Sequence, residues 1–385
     1  MKKIKKLMFA VTAAVLVGGL ASCGGDNNED GTNYKVAMIT DYGDITDESF
    51  NQTTWEAVKE YCETEKVEYK YYKPADNSDA ARIESTEKAI DDGYNVVVMP
   101  GYAFAKTIDT VAEQYADVKF IALDVAKGDL LGAHYSDYNF NPDDEKWAGY
   151  KLPSNVYCAI YQEELCGYMA GYAAVKEGYT NLAFLGGMAV PAVVRYGYGF
   201  VQGCDAAAEG KEIKITYAYG NQFQGDADIK ARTDTWYKGG VEVVFACGGS
   251  IYTSACESAK EYNGKIIGVD VDQSYIINGN YGAGMCITSA MKGLGVTVKN
   301  RLNDLIKEGK FKSDIETLGL VSGEDPDANY VQLPTKTWSM KKYTVEDYKA
   351  LVKKLYDGTI EVSNDTSKEP TVSTTTKVEY QGNIK

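Results

Sequence analysis

Short, almost continuous apolar runs recur along this chain, and several stop on aspartate or glycine. The runs are KVAMIT, VEYKYY, NVVVMPG, KFIALD, NVYCAIY, NLAFLGG, EIKITYAYG, VEVVFACGG and KIIGVD. Segments of helical period lie between them. SFNQTTWEAVKEYC puts Phe50, Thr54, Ala57, Val58 and Tyr61 on one face, and FAKTIDTVAEQYA does the same with Phe104, Ile108, Val111 and Tyr115. Strands that are apolar on both faces need cover on both, so this rhythm predicts an α/β fold of parallel, doubly wound sheets.

Open sheets of this kind bind ligands beyond the carboxyl ends of their strands. Here those ends run into Asp41, Pro100 and Gly101, Asp124, Gly186 and Gly187, Gly248 and Gly249, and Asp270. Any one of these is explained by a turn glycine or a helix-capping aspartate. Together they predict a shared site along one edge of each sheet. Chain that returns to earlier sheets near the C-terminus predicts a clamshell: two lobes, several crossings and a hinge. Residues 34–160 plus 275–310 are expected in the N-terminal lobe and 161–274 plus 311–345 in the C-terminal lobe, with 346–385 as a helix and tail. The span 125–154 lacks a clear period and reads as a long loop near the hinge. TVEDYKALVKKLYDG reads as a surface helix capped by Thr344, and SNDTSKEPTVSTTTK as a Ser/Thr-rich tail of weak order.

The first residues, MKKIKKLMFAVTAAVLVGGLASCGG, combine a basic start, an apolar stretch too short to span a bilayer, and small residues before a cysteine. This predicts a signal peptide over 1–22. LASC resembles the bacterial lipobox, which implies that Cys23 carries lipid and that 23–33 is a polar tether. The expected location is extracytoplasmic and membrane-anchored.

A net charge of -15 disfavours nucleic acid, whose binders need cations to displace counterions. The single histidine, His134, removes most zinc sites and every Ser-His or Cys-His arrangement that does not use it, and no metal or cofactor is expected. Beyond Cys23 seven cysteines remain, without C-x-x-C spacing; most read as buried small apolar residues, with one disulfide left open. GYGFVQG, from Gly197 to Gly203, superficially matches a dinucleotide loop but falls in a helical stretch. No phosphate-binding P-loop occurs, so any ATP hydrolysis belongs to a partner.

GDITDESFNQ before a tryptophan-bearing helix, ELCGYMAGYAA leading to NLAFLGG, and IIGVDVDQ followed by ITSAMKG resemble the basic membrane protein family of substrate-binding lipoproteins. Within it the chain is most similar to the purine nucleoside receptor type, which delivers nucleosides to an ABC importer. The resemblance covers about residues 34–310 and implies the type I periplasmic-binding-protein fold. It implies an ABC permease and ATPase as partners, no cofactor and no catalysis. It also implies that Phe50 and Phe223 stack on the two faces of a base while Asp124 meets the base edge. Asp270 and Lys292 would hold ribose hydroxyls, with Gly248 or Gly249 offering close backbone, and Asp41 and Asn51 would line the cleft.

These residue types suit a nucleoside. Aromatic rings stack on any base, and an acceptor-only carboxylate suits hydroxyl donors. A sugar-binding or sensor lipoprotein of the same fold stays open from the residues alone. So does a nucleoside or glycoside hydrolase using Asp41 and Asp270 as acid and base.

Overall fold

The computed structural model describes residues 33–140 and 145–384. The signal peptide, Cys23 and most of the tether lie outside the described residues. In chain order, β1 (Lys35–Ile39), α1 (Phe50–Glu65), β2 (Glu68–Tyr72), α2 (Asp79–Asp91), β3 (Val96–Pro100), α3 (Ala105–Val111), β4 (Lys119–Leu123), α4 (Lys127–Tyr135) and β5 (Val156–Tyr161) come first. The chain then crosses to a second unit: α5 (Glu163–Glu177), β6 (Asn181–Gly186), α6 (Pro191–Ala207), β7 (Ile213–Tyr219), α7 (Ala227–Lys238), β8 (Val243–Cys247), α8 (Tyr252–Tyr262), β9 (Lys265–Asp270), α9 (Ser274–Tyr281) and β10 (Cys286–Lys292). It crosses back for α10 (Leu294–Ile306) and β11 (Asp314–Leu318), and a third time for β12 (Val331–Gln332), α11 (Val345–Tyr356) and β13 (Thr376–Asn383).

The first sheet has the order β11-β5-β4-β3-β1-β2 and the second β12-β10-β9-β8-β6-β7-β13. All pairings are parallel except β10 with β12. The central strands β3 and β8 are buried at every residue, as apolar runs covered on both faces require. The α/β reading and the two doubly wound sheets hold.

Four expectations change. β10 pairs with β9, so β10 joins the second sheet, α9 packs beside it, and the return begins with α10, which packs on α1. β11 pairs with β5, so the start of 311–345 belongs to the first sheet. An apolar period shows that a strand exists but not which sheet it joins. The span 125–154 holds α4, packed on α3, and a 3-10 turn over Glu145–Gly149. Its short helix carries too little polar contrast to show a period. The C-terminal tail supplies β13, an edge strand parallel to β7, whose Tyr380 ring lies 5.1 Å from that of Tyr217.

Other local readings hold. Thr344 caps α11, and its hydroxyl accepts from the Asp347 N–H in a reciprocal capping box. The seven described cysteines are free and buried. His134 lies at the surface on Asp109. The GYGFVQG glycines lie within α6, where Gly199 and Gly203 let it press against α5 and Gly197 makes room for Tyr217 of β7: a Cβ on Gly199 would sit 2.0 Å from the Glu164 carbonyl oxygen. That close approach seats α6 on α5, and Arg195 and Tyr196 on the same helix line the cavity.

Among the described residues no helix is long and apolar enough to cross a membrane, and no cluster of three or more His, Cys, Asp or Glu could hold a metal ion.

A candidate ligand site between the lobes

The carboxyl ends of the two sheets face each other across a cavity of about 260 Å³. Asp41, Phe50, Asn51, Asp124, Phe223, Gly248, Gly249, Asp270 and Lys292 all line it. The fold therefore brings together the nine residues that the resemblance implies for ligand contact; of the other strand-end residues Gly101 also lines the cavity, whereas Pro100, Gly186 and Gly187 do not.

Two aspartates are set with unusual care. Asp124 follows β4 and Asp270 ends β9, at corresponding places in the two sheets. Both have positive φ, 59° and 65°, a conformation rare outside glycine that turns each side chain off the strand into the cavity. Lys292 Nζ donates to Asp124 Oδ2 at 2.5 Å and to Glu163 Oε1 at 3.2 Å, and lies 3.9 Å from Asp270 Oδ1. Its ammonium also sits 4.9 Å from the centre of the Phe50 ring, within cation-π range. Asp270 Oδ2 accepts from Ser49 Oγ at 2.5 Å, and Glu163 Oε2 from Arg195 Nε at 2.6 Å. Asp124 Oδ1 is buried with no hydrogen-bond partner. An acceptor left this way costs roughly 1–3 kcal/mol, which a ligand donor would recover.

Burial raises the carboxyls of Asp124 and Asp270, and Lys292 opposes it in both cases. Burial alone would lower the Lys292 ammonium, but Asp124, Glu163 and Asp270 outweigh it and hold the group above its ordinary value. Both partners of the Lys292–Asp124 pair are thus raised. The ammonium gains from three carboxylates, whereas each carboxylate has a share of one ammonium and sits among like charges.

The stretch DYGDITDESFNQ becomes the turn from β1 into α1. Asp41 Oδ1 accepts from the N–H groups of Tyr42 and Gly43 and from Asn51 Nδ2, which locks the turn against the start of α1. Asp47 accepts from the N–H groups of Ser49, Asn51 and Gln52 and so caps α1, while Asp44 pairs at the surface with Lys73. Not every acidic residue of this segment serves the cavity.

Phe50 packs beside Lys292, and the ring that approaches Phe223 is Tyr42, 6.3 Å away and tilted by 36°. Phe223 itself is seated on bare backbone: a Cβ on Gly187 would lie 2.3 Å from its ring and one on Gly248 2.7 Å. The Tyr42 hydroxyl reaches Met188 Sδ at 3.4 Å, across the cleft. Further contacts between the lobes join the Gln273 amide to the Glu48 carbonyl at 2.9 Å and the Tyr275 hydroxyl to the Glu48 carboxylate.

Sequence reasoning missed Tyr42, Glu163, Arg195 and Tyr196. Arg195 is the only base in the apolar helix PAVVRYGYGFVQGCDAA, a signal that could have marked it. Glu163 could not be found so easily, because acidic residues at a helix start are ordinary dipole partners.

Two α/β lobes closed over a polar, aromatic cavity define a ligand-binding protein of the periplasmic-binding-protein class. The comparisons with known proteins make this specific: residues 34–366 match the family described as ABC transporter substrate-binding protein PnrA-like, or Bmp, and the chain belongs to it. The chain is 27% identical to the ABC transporter nucleoside-binding protein BmpA of Lactococcus lactis, covering 83% of this chain and 90% of that one. It is 28% identical to basic membrane protein A1 of Borrelia garinii, over 80% and 83% of the two chains. Among solved structures, an ABC transporter solute-binding protein from Aeropyrum pernix superposes with a TM-score of 0.63 at 19% identity, covering 86% of this chain and 88% of that one. That likeness concerns the fold. The family is one of binding proteins and not of enzymes, so the hydrolase reading falls away.

Proposed function

We propose that the cavity captures a nucleoside, of the purine type, and that the protein hands it to an ABC importer while tethered outside the cell membrane through lipid on Cys23. The observation that carries this reading is the pair of left-handed aspartates, Asp124 and Asp270, aimed into one cavity with Phe50 and Phe223. The base rests against the Phe223 ring and presents a donor to the unpartnered Asp124 Oδ1. Asp270, with Lys292 beside it, accepts from ribose hydroxyls. Asp41 and Asn51 complete the first-lobe wall, and Gly248 and Gly249 give the ligand close access to backbone. Stacking grows with ring area, which favours a two-ring base. The excess of buried carboxylates disfavours phosphorylated forms. A relative that carries the name of a nucleoside-binding protein supports the ligand class.

Thermal unfolding with purine nucleosides, pyrimidine nucleosides, free bases and simple sugars tests the reading. Purine nucleosides at a hundred times their Kd are expected to add about 2.7 kcal/mol of stability. A midpoint moved by sugars alone would contradict the ligand class and leave the clamshell intact.

A further inference from the structure

The Glu163 side chain is fully buried, yet it touches both cations of the site, Lys292 at 3.2 Å and Arg195 at 2.6 Å. Its position in the chain gives this contact meaning. Glu163 is the first residue of α5, directly after the first crossing between lobes, and Lys292 is the last residue of β10, directly before the second. Hydrogen bonds join the crossings at this level. The Gln162 N–H donates to the Leu318 carbonyl, the Tyr330 N–H to that of Gly319, and the Gly293 N–H to that of Tyr330. Glu163 therefore stands at the pivot, while the ammonium it holds reaches across the cleft to Asp124 in the first lobe, at 2.5 Å.

We propose that Glu163 is a positioning residue of the ligand site, anchoring Lys292 and Arg195 to the hinge so that Lys292 meets Asp124 when the lobes close. Lys292 is an unbranched chain with many rotamers, and a buried, hinge-fixed carboxylate removes that freedom. The charged or titratable groups facing Glu163 are Lys292 of β10, Arg195 and Tyr196 of α6, Asp124 after β4 and Asp270 of β9. Glu164 and Cys166 of α5, Tyr161 of β5 and Cys247 of β8 complete its surroundings.

Two effects of Glu163 on Asp124 have opposite sign, and that separates positioning from simple charge. The Glu163 charge acts directly to raise the Asp124 carboxyl, whereas Lys292 lowers it. Removing the charge and nothing else would lower the Asp124 titration midpoint. Releasing Lys292 would raise it.

The experiment follows the Asp124 carboxyl by carbon-13 NMR in the ligand-free full chain, assigned with Asp124→Asn, and compares it with Glu163→Gln. Affinity for guanosine and uridine is measured by calorimetry on the same proteins; that arm rests on the nucleoside reading above. The expected result is a midpoint that rises in Glu163→Gln, with affinity reduced roughly ten- to a hundredfold. Glu163→Asp keeps the charge and shortens the reach, so its midpoint also rises, and it serves if Glu163→Gln does not fold. A midpoint that falls in Glu163→Gln, or that does not rise in Glu163→Asp, where the charge is kept, overturns the proposal. Failure of the unsubstituted chain to bind either nucleoside counts against the nucleoside reading, and the titration still decides the role of Glu163.

Discussion

The two lobes build their cavity walls from the same strand positions but fill them differently. Asp124 and Asp270 correspond, both left-handed; so do Gly101 after β3 and Gly248 after β8, with φ of 123° and 142°. The correspondence breaks at the next strand outward. β5 ends on Tyr161, whose hydroxyl donates to Thr297, whereas β10 ends on Lys292. The second lobe thus holds the cations Lys292 and Arg195, and the first presents Asp41 and Asp124 with Tyr42 and Phe50. A shared scaffold supplies the geometry, and the exchange of Tyr161 for Lys292 at this strand end puts an ammonium within reach of Asp124 in the other lobe.

The largest test of that asymmetry is Lys292→Met. It leaves Asp124, Glu163 and Asp270 buried without their shared ammonium, and stability measured by urea unfolding is expected to fall by about 3–5 kcal/mol. The corresponding change in the other lobe, Tyr161→Phe, loses one neutral hydrogen bond and is expected to cost about 0.5–1.5 kcal/mol. Equal losses would break the comparison.

The glycine pair sharpens it. Gly101→Ala and Gly248→Ala both force a side chain into a backbone conformation that resists one, each at about 1–3 kcal/mol by the same assay. They part in ligand response. The new methyl of Gly248→Ala comes 2.7 Å from the Phe223 ring and displaces it, so the thermal shift with nucleoside disappears; that of Gly101→Ala meets Asp41 at an ordinary 3.4 Å, and the shift survives.

A pH series probes the buried acid beside the hinge. Burial pushes the Glu164 carboxyl from 4.5 up to about 7. The folded chain then holds this proton more tightly than the unfolded chain, so the group's contribution to stability declines as pH rises from about 4.5 to about 7. In Glu164→Gln the decline in urea midpoint over that window is expected to be shallower. The smallest effect is expected at the exposed rim, where Tyr275→Phe removes the hydroxyl on Glu48 and changes stability by about 0.5 kcal/mol or less.

Much of this was legible from the sequence because the pattern is strong. Nearly continuous apolar strands gave the sheets, and aspartate or glycine at their ends marked the cavity edge. What stayed hidden depends on distant partners. Whether MCITSAMK joins the first or second sheet is set by its neighbour β9, not by its own period. β13 comes from a polar tail that packs only because the edge of β7 is free to receive it. Glu163 looks like any helix-start glutamate until Lys292, 129 residues later, folds onto it. Tyr42 carries no local signal, because its role is a ring 6.3 Å from that of Phe223, a residue of the other lobe 181 positions later.

The most direct measurement is a crystal structure of the protein grown with guanosine. The account predicts a single nucleoside in the interlobe cavity, its base against Phe223 and its donors within about 3.2 Å of Asp124 Oδ1 and of Asp270. Guanosine bound elsewhere, or lying in the cavity while those two carboxylates keep only Lys292 and Ser49 as partners, would contradict it.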